Sequence, residues 1–405
     1  GRYPRLFRPL TKASLLILDD WGPERLNPEQ RRDLMEIVED RYQNASILIT
    51  SQLPLAKWHE VIGEPTFADA ILAGDLLGKE MQGMGIAMID HLMMQYDQIN
   101  MNAEPTIEQD NNNYVVINGN RGLGQYTLTR AMEMVIEKAK QHTFGVGLVH
   151  NWHDIGCASA YTRMALDHDC IGILTVNSVT QNAPWGGREL KMSAAPFSYA
   201  CPAGDMDAII GDTSVSGIYE TYLSDAVLEG RKLDSKCLVD PDTGELTDDP
   251  APYIEHPEHR AAPMLAAPVF PNVKLYVMNV FIEIMTGLLT PGGYTSPQME
   301  YPSMHALAAD PDRLVKRGGG AFLMVVNIAD LMPLDLFKQR VDEWVRTLKE
   351  TKLQKGFDEI TLPGENALRS ERERRLNGVP VQQKYWQGIK QMGAEVGVDI
   401  EALRE

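Results

Sequence analysis

The chain has 405 residues, of which 44% are hydrophobic and 23% charged, and its formal net charge is −18. This length exceeds what one hydrophobic core usually supports, so two or three domains are expected, and no apolar run approaches the roughly eighteen residues of a membrane helix. The negative charge works against nucleic-acid binding and residues 1–13 lack the apolar core of a secretory signal, so we expect a cytoplasmic protein with neither a membrane nor a nucleic-acid partner.

The first predicted elements form a β-α-β unit. Residues 14–20, SLLILDD, are mostly aliphatic and end in two carboxylates, which predicts a buried parallel strand. Residues 28–42, PEQRRDLMEIVEDRY, place apolar residues at helical spacing with charges on the other face. A second strand is predicted over residues 46–50, SILIT.

Within residues 14–72 lie the strings LLILDDWG, EQRRDLMEIVEDRY, ILITSQLP and KWHEVIGEPTFADAIL. Here the chain resembles the second half of the IstB-like transposition-helper ATPases. The resemblance implies that Asp19 and Asp20 are Walker B carboxylates and that Thr50 senses nucleotide. The loop G-x-x-x-x-G-K-[ST] that holds phosphates is absent from the sequence. We therefore expect a structural scaffold or a gene-fusion remnant joined near residue 73, with no ATP hydrolysis of its own.

Beyond this junction, glycine-rich turns alternate with amphipathic helices. Residues 128–140, LTRAMEMVIEKAK, and residues 274–289 are predicted helices, a turn-rich stretch covers residues 241–252, and the charged C-terminus is predicted to be helical. The Rossmann fingerprint G-x-G-x-x-G is absent, because the glycines of GNRGLG at 119–124 have the reverse spacing. A Rossmann dehydrogenase is therefore disfavoured.

Six further strings occur in the order found in a single enzyme family. They are INGNRGLGQ (117–125), VNSVTQNAPWGGREL (176–190), AAPFSYACPAG (194–204), LVDPDTGELTDDP (238–250), VKLYVMNVFIEIMTGLL (273–289) and LPGENALRSERERR (362–375). The ordered set resembles the malate/L-lactate dehydrogenase family of NAD(P)-dependent oxidoreductases that lack a Rossmann fold.

This resemblance implies an α/β fold with a mixed, largely antiparallel sheet and flanking helices. It implies NAD or NADP as the cofactor, held between domains and across a homodimer, and a small 2-hydroxy or 2-oxo acid as the substrate. The expected domains are an ATPase-like segment over 1–73, a helical dimerisation and lid part over 74–125 and 290–405, and an NAD(P)-binding domain over 126–289.

The resemblance also indicates residues for the cofactor. Ser178 falls where the family contacts the cofactor, and Ser193, Ala194 and Ala195 replace a Gly-Thr-Asn at the same site. Gly364 and Glu365 fall in a loop that closes near the nucleotide. Lys274 matches a lysine that reaches the cofactor phosphates or the substrate. A buried lysine at the start of an apolar helix is costly unless it is paired, which favours a function over a surface lysine that lies along the helix.

The segment VHNWHDIG at 149–156 contains two candidates for the proton donor. The family's donor is a histidine in Asn-Ser-x-His-x-Gly, and an ungapped match places Asp154 at that position and His153 one residue early. A histidine, with an ordinary pKa near 6.5, can donate a proton unaided, whereas an aspartic acid needs burial to raise its pKa. If the segment is extended, only one of the two side chains can face the substrate. Three alternatives stay open: His153 is the donor, Asp154 is the donor, or neither is.

A second departure from the family lies in Gly78-Lys-Glu-Met-Gln-Gly83, where Gln82 replaces a histidine and Ile86 an arginine. A glutamine can hold a carbonyl or carboxylate group by hydrogen bonds, but it does not titrate. The arginine would have clamped a carboxylate substrate with two hydrogen bonds. Lys79 and His91 are possible substitutes for it, although each is more often an ordinary surface residue.

No metal site is expected. His256 and His259 lie in a proline-rich turn without a third ligand nearby, and the four cysteines have neither a metal-binding nor a disulfide spacing. The leading interpretation is an NAD(P)-dependent oxidoreductase acting on a small 2-hydroxy acid. The alternatives are a cyclic-imine reductase of the same family, a non-catalytic nucleotide-binding relative and, remotely, an ATPase-like adaptor of transposition.

Overall fold

The structure is a computed structural model, and it describes only part of the chain. The described residues are 15–21, 46–51, 67–79, 82–86, 93, 98–100, 103–218, 220–254, 264–295, 319–381 and 383–395. The chain divides into two compact units, Gly1–Thr66 and Phe67–Glu405. The finer division of the second unit into a lid part and an NAD(P)-binding domain stays a prediction.

In the first unit, strand β1 (Leu15–Trp21) pairs in parallel with strand β2 (Ser46–Ser51). The register places Leu15 opposite Ser46 and Leu18 opposite Ile49. This pairing confirms the two predicted parallel strands. The predicted helix between them, over 28–42, lies outside the described residues.

The second unit combines strands with helices of very different lengths. Its strands are β3 (Thr106–Asp110), β4 (Tyr114–Leu123), β5 (Phe144–His153), β6 (Cys170–Val176), β7 (Pro196–Cys201), β8 (Ile209–Ser214), β9 (Leu238–Val239), β10 (Leu246–Thr247), β11 (Ala267–Pro268) and β12 (Gly320–Asn327). Its α-helices are α1 (Phe67–Leu76), α2 (Gly124–His142), α3 (Ser159–Thr162), α4 (Glu220–Leu228), α5 (Val273–Glu283), α6 (Leu334–Lys349), α7 (Glu365–Asn377) and α8 (Gln383–Glu395). Helices α6 to α8 confirm the predicted helical C-terminus.

The main sheet has seven strands in the order β3-β4-β5-β12-β6-β7-β8. β4 and β5 are parallel, and every other neighbouring pair in this sheet is antiparallel. The predicted mixed, largely antiparallel sheet is therefore confirmed. Because β12 is antiparallel to both β5 and β6, the carboxyl ends of β4, β5, β6 and β8 lie on the same side of the sheet, together with the amino ends of β7 and β12. We call this side the carboxyl edge.

Helix α2 connects the two parallel strands and contributes much of the core. It confirms and extends the predicted helix over 128–140. Its apolar face buries a row of residues at helical spacing: Leu128, Ala131, Met132, Val135, Ile136 and Ala139. Gly145 of β5 lets the helix approach closely, since a Cβ atom there would overlap the main-chain oxygen of Val135. Fully burying a side chain the size of valine or leucine stabilises a fold by about 1.5–3 kcal/mol, so this contact fixes β4 and β5 firmly.

The predicted apolar helix over 274–289 is present as α5 followed by a π-helical turn, Ile284–Leu288. Asn272 caps α5 by accepting hydrogen bonds from the N–H groups of Lys274 and Leu275 at 3.0 and 3.2 Å. Helix α5 widens to this π turn where it contacts the main sheet. A Cβ atom at Gly320, the first residue of β12, would overlap the main-chain oxygen of Thr286. The π turn is therefore held against the carboxyl edge.

A small three-stranded sheet, in the order β10-β9-β11, lies beside α4 and shares an apolar cluster with it. None of the helices in the described ranges is long and apolar enough to cross a membrane.

Candidate active site

The carboxyl ends of β4 and β5 form the centre of the candidate site. Leu123 is opposite His153 in the register of these strands. A Cβ atom at Gly124, the next residue, would overlap the main-chain oxygens of His153 and Asp154. Only glycine therefore allows α2 to start directly beside the two candidate proton donors.

Three residues near these strand ends adopt positive φ angles without being glycine. They are Asn120 at 52°, Arg121 at 62° and Asn151 at 59°. The side chain of Asn118 supports the local shape, because its Oδ1 accepts hydrogen bonds from Asn120 N at 2.9 Å and Asn151 Nδ2 at 2.8 Å. Such conformations cost about 1–3 kcal/mol each and often occur at functional sites. The strain lies in the two segments that lead into the candidate donors.

The segment containing His153 and Asp154 is extended through His153. His153 is the last residue of β5 and is 3% exposed, whereas Asp154 lies just after the strand and is partly exposed. Because Asp154 lies beyond the strand, the alternation of side chains along the strand does not decide which of the two faces the substrate. The structure places both at the carboxyl edge and leaves the choice of donor as a prediction.

His150, the other histidine of the segment, has a separate environment. Its Nε2 lies 2.9 Å from Oε2 of Glu108, and Asn118 Nδ2 donates a hydrogen bond to the other oxygen of that carboxylate at 3.2 Å. The hydrogen bond with His150 is the main cause that lowers the pKa of Glu108. His150 is therefore accounted for by its contact with β3.

The structure brings Gln82 to the same place. A Cβ atom at Gly156 would lie 2.8 Å from the main-chain oxygen of Gln82, and one at Gly74 would lie equally close to it. The Gln82 main chain is thus held between Gly74 and the segment after Asp154. The adjacent turn is fixed by Asp75, whose carboxylate oxygens accept a hydrogen bond from Met84 N at 3.1 and 3.2 Å.

Lys79 and His91 were the two proposed substitutes for the family's arginine, and the structure describes only the first. Lys79 Nζ lies 2.7 Å from Oδ2 of Asp212 and forms an ion pair with it. His91 lies outside the described residues. Ile86, at the arginine position, is partly buried.

Four of the predicted cofactor residues lie at the carboxyl edge. Ser178 lies just after the end of β6, and its carbonyl oxygen accepts a hydrogen bond from Thr295 Oγ1 at 2.9 Å. Ser193, Ala194 and Ala195 precede the first residue of β7. β5 and β6 are separated only by β12, and Val149 of β5 and Val176 of β6 both lie opposite Ala321, about 10 Å apart at a strand spacing of about 4.8 Å. β5 continues four residues beyond this level to His153, so Ser178 and the candidate donors lie at the same edge of the sheet but follow different strands.

Ser193 and Ala195 are buried in this conformation, and Ala194 is partly exposed. The carbonyl oxygen of Ser193 accepts hydrogen bonds from Asn182 Nδ2 at 3.1 Å and Asn279 Nδ2 at 2.8 Å. Within the described part of the chain, the buried Ser193 Oγ and Asn279 Oδ1 have no hydrogen-bond partner. This polar cluster keeps unused hydrogen-bonding capacity beside the segment that was expected to line the cofactor site.

The prediction that Lys274 is buried is wrong, because the residue is exposed near the start of α5. The apolar sequence of this helix does not imply burial, since much of its outer surface is exposed. Gly364 and Glu365 are not brought to the carboxyl edge. Ile210, near the other end of β8, donates its N–H to the carbonyl oxygen of Pro363 at 3.0 Å, and Glu365 is buried with Lys349 Nζ 2.8 Å from its carboxylate.

A cavity of about 900 Å³ lies between the loop at 184–187, the segment at 233–239 and the residues at 269–271. Trp185 lines it with an indole that is 52% exposed, and Asp234 and Lys236 supply charges at its wall. Phe270 also lines the cavity and belongs to the same apolar cluster as Ala195. Ligand pockets typically have volumes of about 300–1,000 Å³ with apolar and aromatic walls and a few polar groups. The cavity has this size and walls of this kind.

The first loop of this cavity belongs to the string VNSVTQNAPWGGREL, in which only Ser178 was predicted to contact the cofactor. The glycine pair after Trp185 was the available signal for an open loop. Among the described residues, no group of three or more histidine, cysteine, aspartate or glutamate side chains could hold a metal ion. His256 and His259 lie outside those residues.

Comparison with known proteins gives separate results for the two ends of the chain. Residues 1–78 match the family described as IstB-like ATP binding protein. An insertion sequence ATP-binding protein of Sinorhizobium fredii is 64% identical over 72 residues, which are 18% of this chain and 29% of that protein. The resemblance proposed for the first segment is confirmed, over less than a third of that relative.

The larger part matches dehydrogenases. The Malate/(S)-sulfolactate dehydrogenase of Methanothermus fervidus is 25% identical over 375 residues, covering 93% of this chain and 99% of that protein. The L-sulfolactate dehydrogenase of Methanocaldococcus jannaschii is 28% identical over 334 residues, covering 82% and 90%.

The solved structure of the sulfolactate dehydrogenase from Methanocaldococcus jannaschii has a TM-score of 0.70 at 27% identity, covering 82% of this chain and 90% of that one. A malate dehydrogenase structure from Entamoeba histolytica shares the fold with a TM-score of 0.72, at 23% identity and with coverage of 82% and 90%. Residues 64–390 match the family described as Malate/L-lactate dehydrogenase. The chain therefore belongs to the malate/L-lactate dehydrogenase family and is an oxidoreductase of the 2-hydroxy acid dehydrogenase kind.

Proposed function

We propose that the protein interconverts a small 2-hydroxy acid and its 2-oxo acid, using NAD or NADP and one proton from the chain. The observation that carries this proposal is the shared carboxyl edge: the Gln82 main chain packs against the segment that follows His153 and Asp154, and Ser178 lies on the same side of the sheet. The relatives named for malate and sulfolactate support a 2-hydroxy acid that carries a further acidic group.

The family uses a nicotinamide cofactor, which when bound supplies the hydride to the carbonyl carbon. The chain must hold the carbonyl group in place and deliver one proton to its oxygen as the hydride arrives. The Gln82 amide can donate a hydrogen bond to a carbonyl or carboxylate oxygen. Solvent exposure favours Asp154 as the proton donor, because the His153 side chain is almost completely buried. The ordinary acidity of an imidazole group favours His153.

We further propose that the 900 Å³ cavity takes part of the cofactor. Its indole at Trp185 offers a flat surface on which an adenine ring can stack, and Lys236 can face a phosphate group. The cavity and the carboxyl edge are connected by one apolar cluster, which contains Phe270 of the cavity wall and Ala195 at the edge.

A homodimer is proposed from the outer surface of α5 and the π turn. Val277 is 62% exposed, Phe281 56% and Leu288 63%. A contiguous exposed apolar surface of this kind marks an interaction site in many proteins, and a second copy of the chain is the occupant we propose. The cytoplasmic location stays a prediction from the sequence.

The test is a titration of the purified full chain with NADH and NADPH, and then absorbance at the nicotinamide band with pyruvate, oxaloacetate, sulfopyruvate and a cyclic imino acid. Oxidation of either cofactor by a 2-oxo acid is the expected result. Binding without oxidation by any of the four would contradict the proposed activity. It would favour the second candidate, a non-catalytic nucleotide-binding relative, which Gln82 and Ile86 support because they replace a histidine and an arginine.

A further inference from the structure

One carboxylate on β8 contacts both segments that carry the candidate site. Oδ2 of Asp212 lies 2.7 Å from Lys79 Nζ, and it accepts hydrogen bonds from Ser159 N at 2.9 Å and Cys157 Sγ at 3.3 Å. Lys79 precedes Gln82 by three residues, and Cys157 is three residues after Asp154. Asp212 therefore joins the loop of Gln82 to the segment of Asp154.

The link from Lys79 to Gln82 is a tight turn. The N–H groups of Gln82 and Gly83 both donate to the carbonyl oxygen of Lys79, at 2.9 and 3.1 Å. Lys79 N in turn donates to Gly74 O at 2.9 Å. A movement of the Lys79 main chain would consequently move Gln82 as well.

The ion pair is protected from water. The side chain of Asp212 is 11% exposed and that of Lys79 is 26% exposed. Partly buried pairs are screened by salt much less than surface pairs, and removal of one partner leaves the other charge poorly solvated. The contact therefore holds the loop more firmly than an exposed lysine would.

We propose that Asp212 is a positioning residue, which through Lys79 and Cys157 fixes the separation between Gln82 and Asp154. This inference rests on the proposed function, because it gives the pair a role in the same reaction. Asp212 itself need not touch the substrate. Its effect on turnover comes from where it holds the two segments.

Cys157 provides a reporter for this contact that does not depend on activity. The thiol is fully buried, and burial, together with the smaller effect of the Asp212 charge, raises the pKa of Cys157 to about 11. It should react slowly with iodoacetamide in the native protein, since the thiolate is the nucleophile. Loosening of the two segments would expose Cys157, whereas Cys170, which is also fully buried, serves as the internal control.

The experiment compares Asp212→Asn, Lys79→Met, the double variant and the conservative variant Lys79→Arg, which keeps the positive charge. Each is studied as the full chain. Asp110→Asn is the matched control, because Asp110 also forms an ion pair with a lysine, Lys138, but its own side chain is 56% exposed, against 11% for Asp212. The readouts are hydrogen exchange of peptides covering 78–86, alkylation of Cys157, NADH binding, and kcat and KM for the most active 2-oxo acid of the panel.

Asp212→Asn and Lys79→Met should each raise hydrogen exchange in 78–86 and alkylation of Cys157 at least tenfold, and the double variant should be no worse than either. kcat/KM should fall at least tenfold while NADH binding changes less than twofold, and Lys79→Arg, which keeps an ion pair with Asp212, should retain most of both properties. Unchanged exchange in Asp212→Asn, or additive effects of the two single variants, would overturn the proposal. So would a loosened loop with normal kcat/KM.

A wild-type chain that reduces none of the 2-oxo acids would contradict the proposed function alone. In that case hydrogen exchange and Cys157 alkylation still decide whether Asp212 holds the two segments together.

Discussion

The main-chain oxygen of Gln82 lies against Gly156, so closely that a Cβ atom at Gly156 would be 2.8 Å from it. Gly156 also has a φ of 67°, a conformation that costs energy for residues with a side chain. Two independent constraints therefore require glycine at the position two residues after Asp154.

Gly156→Ala should lower the free energy of unfolding by more than Gly230→Ala. Gly230 has almost the same φ, 65°, but nothing lies within 4 Å of its added Cβ atom. The control variant thus measures the backbone strain alone, about 1 kcal/mol or somewhat more, and the excess in Gly156→Ala measures the contact with Gln82. Urea unfolding of both variants provides the comparison, and equal losses would show that the Gln82 contact relaxes without cost.

Replacement of the true proton donor should lower kcat by about 10²–10⁴-fold while leaving cofactor binding intact. We expect this loss in only one of His153→Ala and Asp154→Asn, since one residue delivers the proton. His150→Ala is a suitable control, because His150 contacts Glu108. Steady-state kinetics with the best 2-oxo acid, together with NADH titration, separate the effects. Near-normal kcat in both variants would show that neither residue is the donor.

Trp185→Leu should weaken NADH binding at least tenfold, because it removes the stacking surface at the wall of the cavity. Trp344 of α6 is a matched control, with 54% exposure against 52% for Trp185. Trp344→Leu should leave the dissociation constant unchanged. Fluorescence titration measures both, and equal affinity in all three proteins would place the cofactor elsewhere.

Phe281→Asp should convert a dimer to monomers, because it puts a charge at the centre of the exposed apolar surface of α5. Leu376→Asp is the control, since Leu376 is 85% exposed on α7, outside that surface. Sedimentation velocity of the wild type and both variants gives the masses. A monomeric wild type, or a dimeric Phe281→Asp variant, would contradict the interface.

Asp342→Asn should lower the free energy of unfolding at neutral pH by about 1–3 kcal/mol. Burial alone would raise the pKa of Asp342, but hydrogen bonds from the N–H groups of Asp205, Gly204 and Met206 at 2.7, 3.0 and 3.3 Å outweigh it and lower the pKa. A lowered pKa in the folded state gives stability that is present above the unfolded value, about 3.9, and is lost as the pH falls through the folded value.

The difference between Asp342→Asn and the wild type should therefore be largest at pH 7 and shrink below pH 4. Urea unfolding across this range measures it, with Asp358→Asn, an exposed position, as the control. A difference that stays constant with pH would show that the charge of Asp342 does not contribute.

Much of the fold could be predicted because its signals are local. The apolar spacing in 128–140 depends on one helix and one face, and the structure has that helix. The resemblance carried by the ordered family strings likewise implied a largely antiparallel sheet. Burial of Lys274 could not be predicted in this way, because an apolar helix surface gives the same sequence pattern whether the protein core or a partner covers it.

The candidate site was only partly predictable for a different reason. His153 and Asp154 are adjacent in sequence, but the strand ends between them, and strand ends are hard to place from sequence to within one residue. The contact of Lys79 with Asp212 joins residues 133 positions apart, and neither residue has a neighbour that signals the other. The positive φ angles of Asn120 and Asn151 also depend on packing between two strands.

The π turn at Ile284–Leu288 affects how the protein would respond to a change in the length of its sequence there. A π turn holds one more residue than an α turn, so a single-residue deletion there would restore a regular α turn and leave the residues after it in nearly the same orientation. Leu288, on the exposed apolar surface, and Thr286, against Gly320 of the sheet, both lie within this turn, so the deletion would change which side chains face outwards and which face the sheet. The exposed apolar surface and the carboxyl edge therefore share one turn of helix, and we expect a change in the length of that turn to alter both.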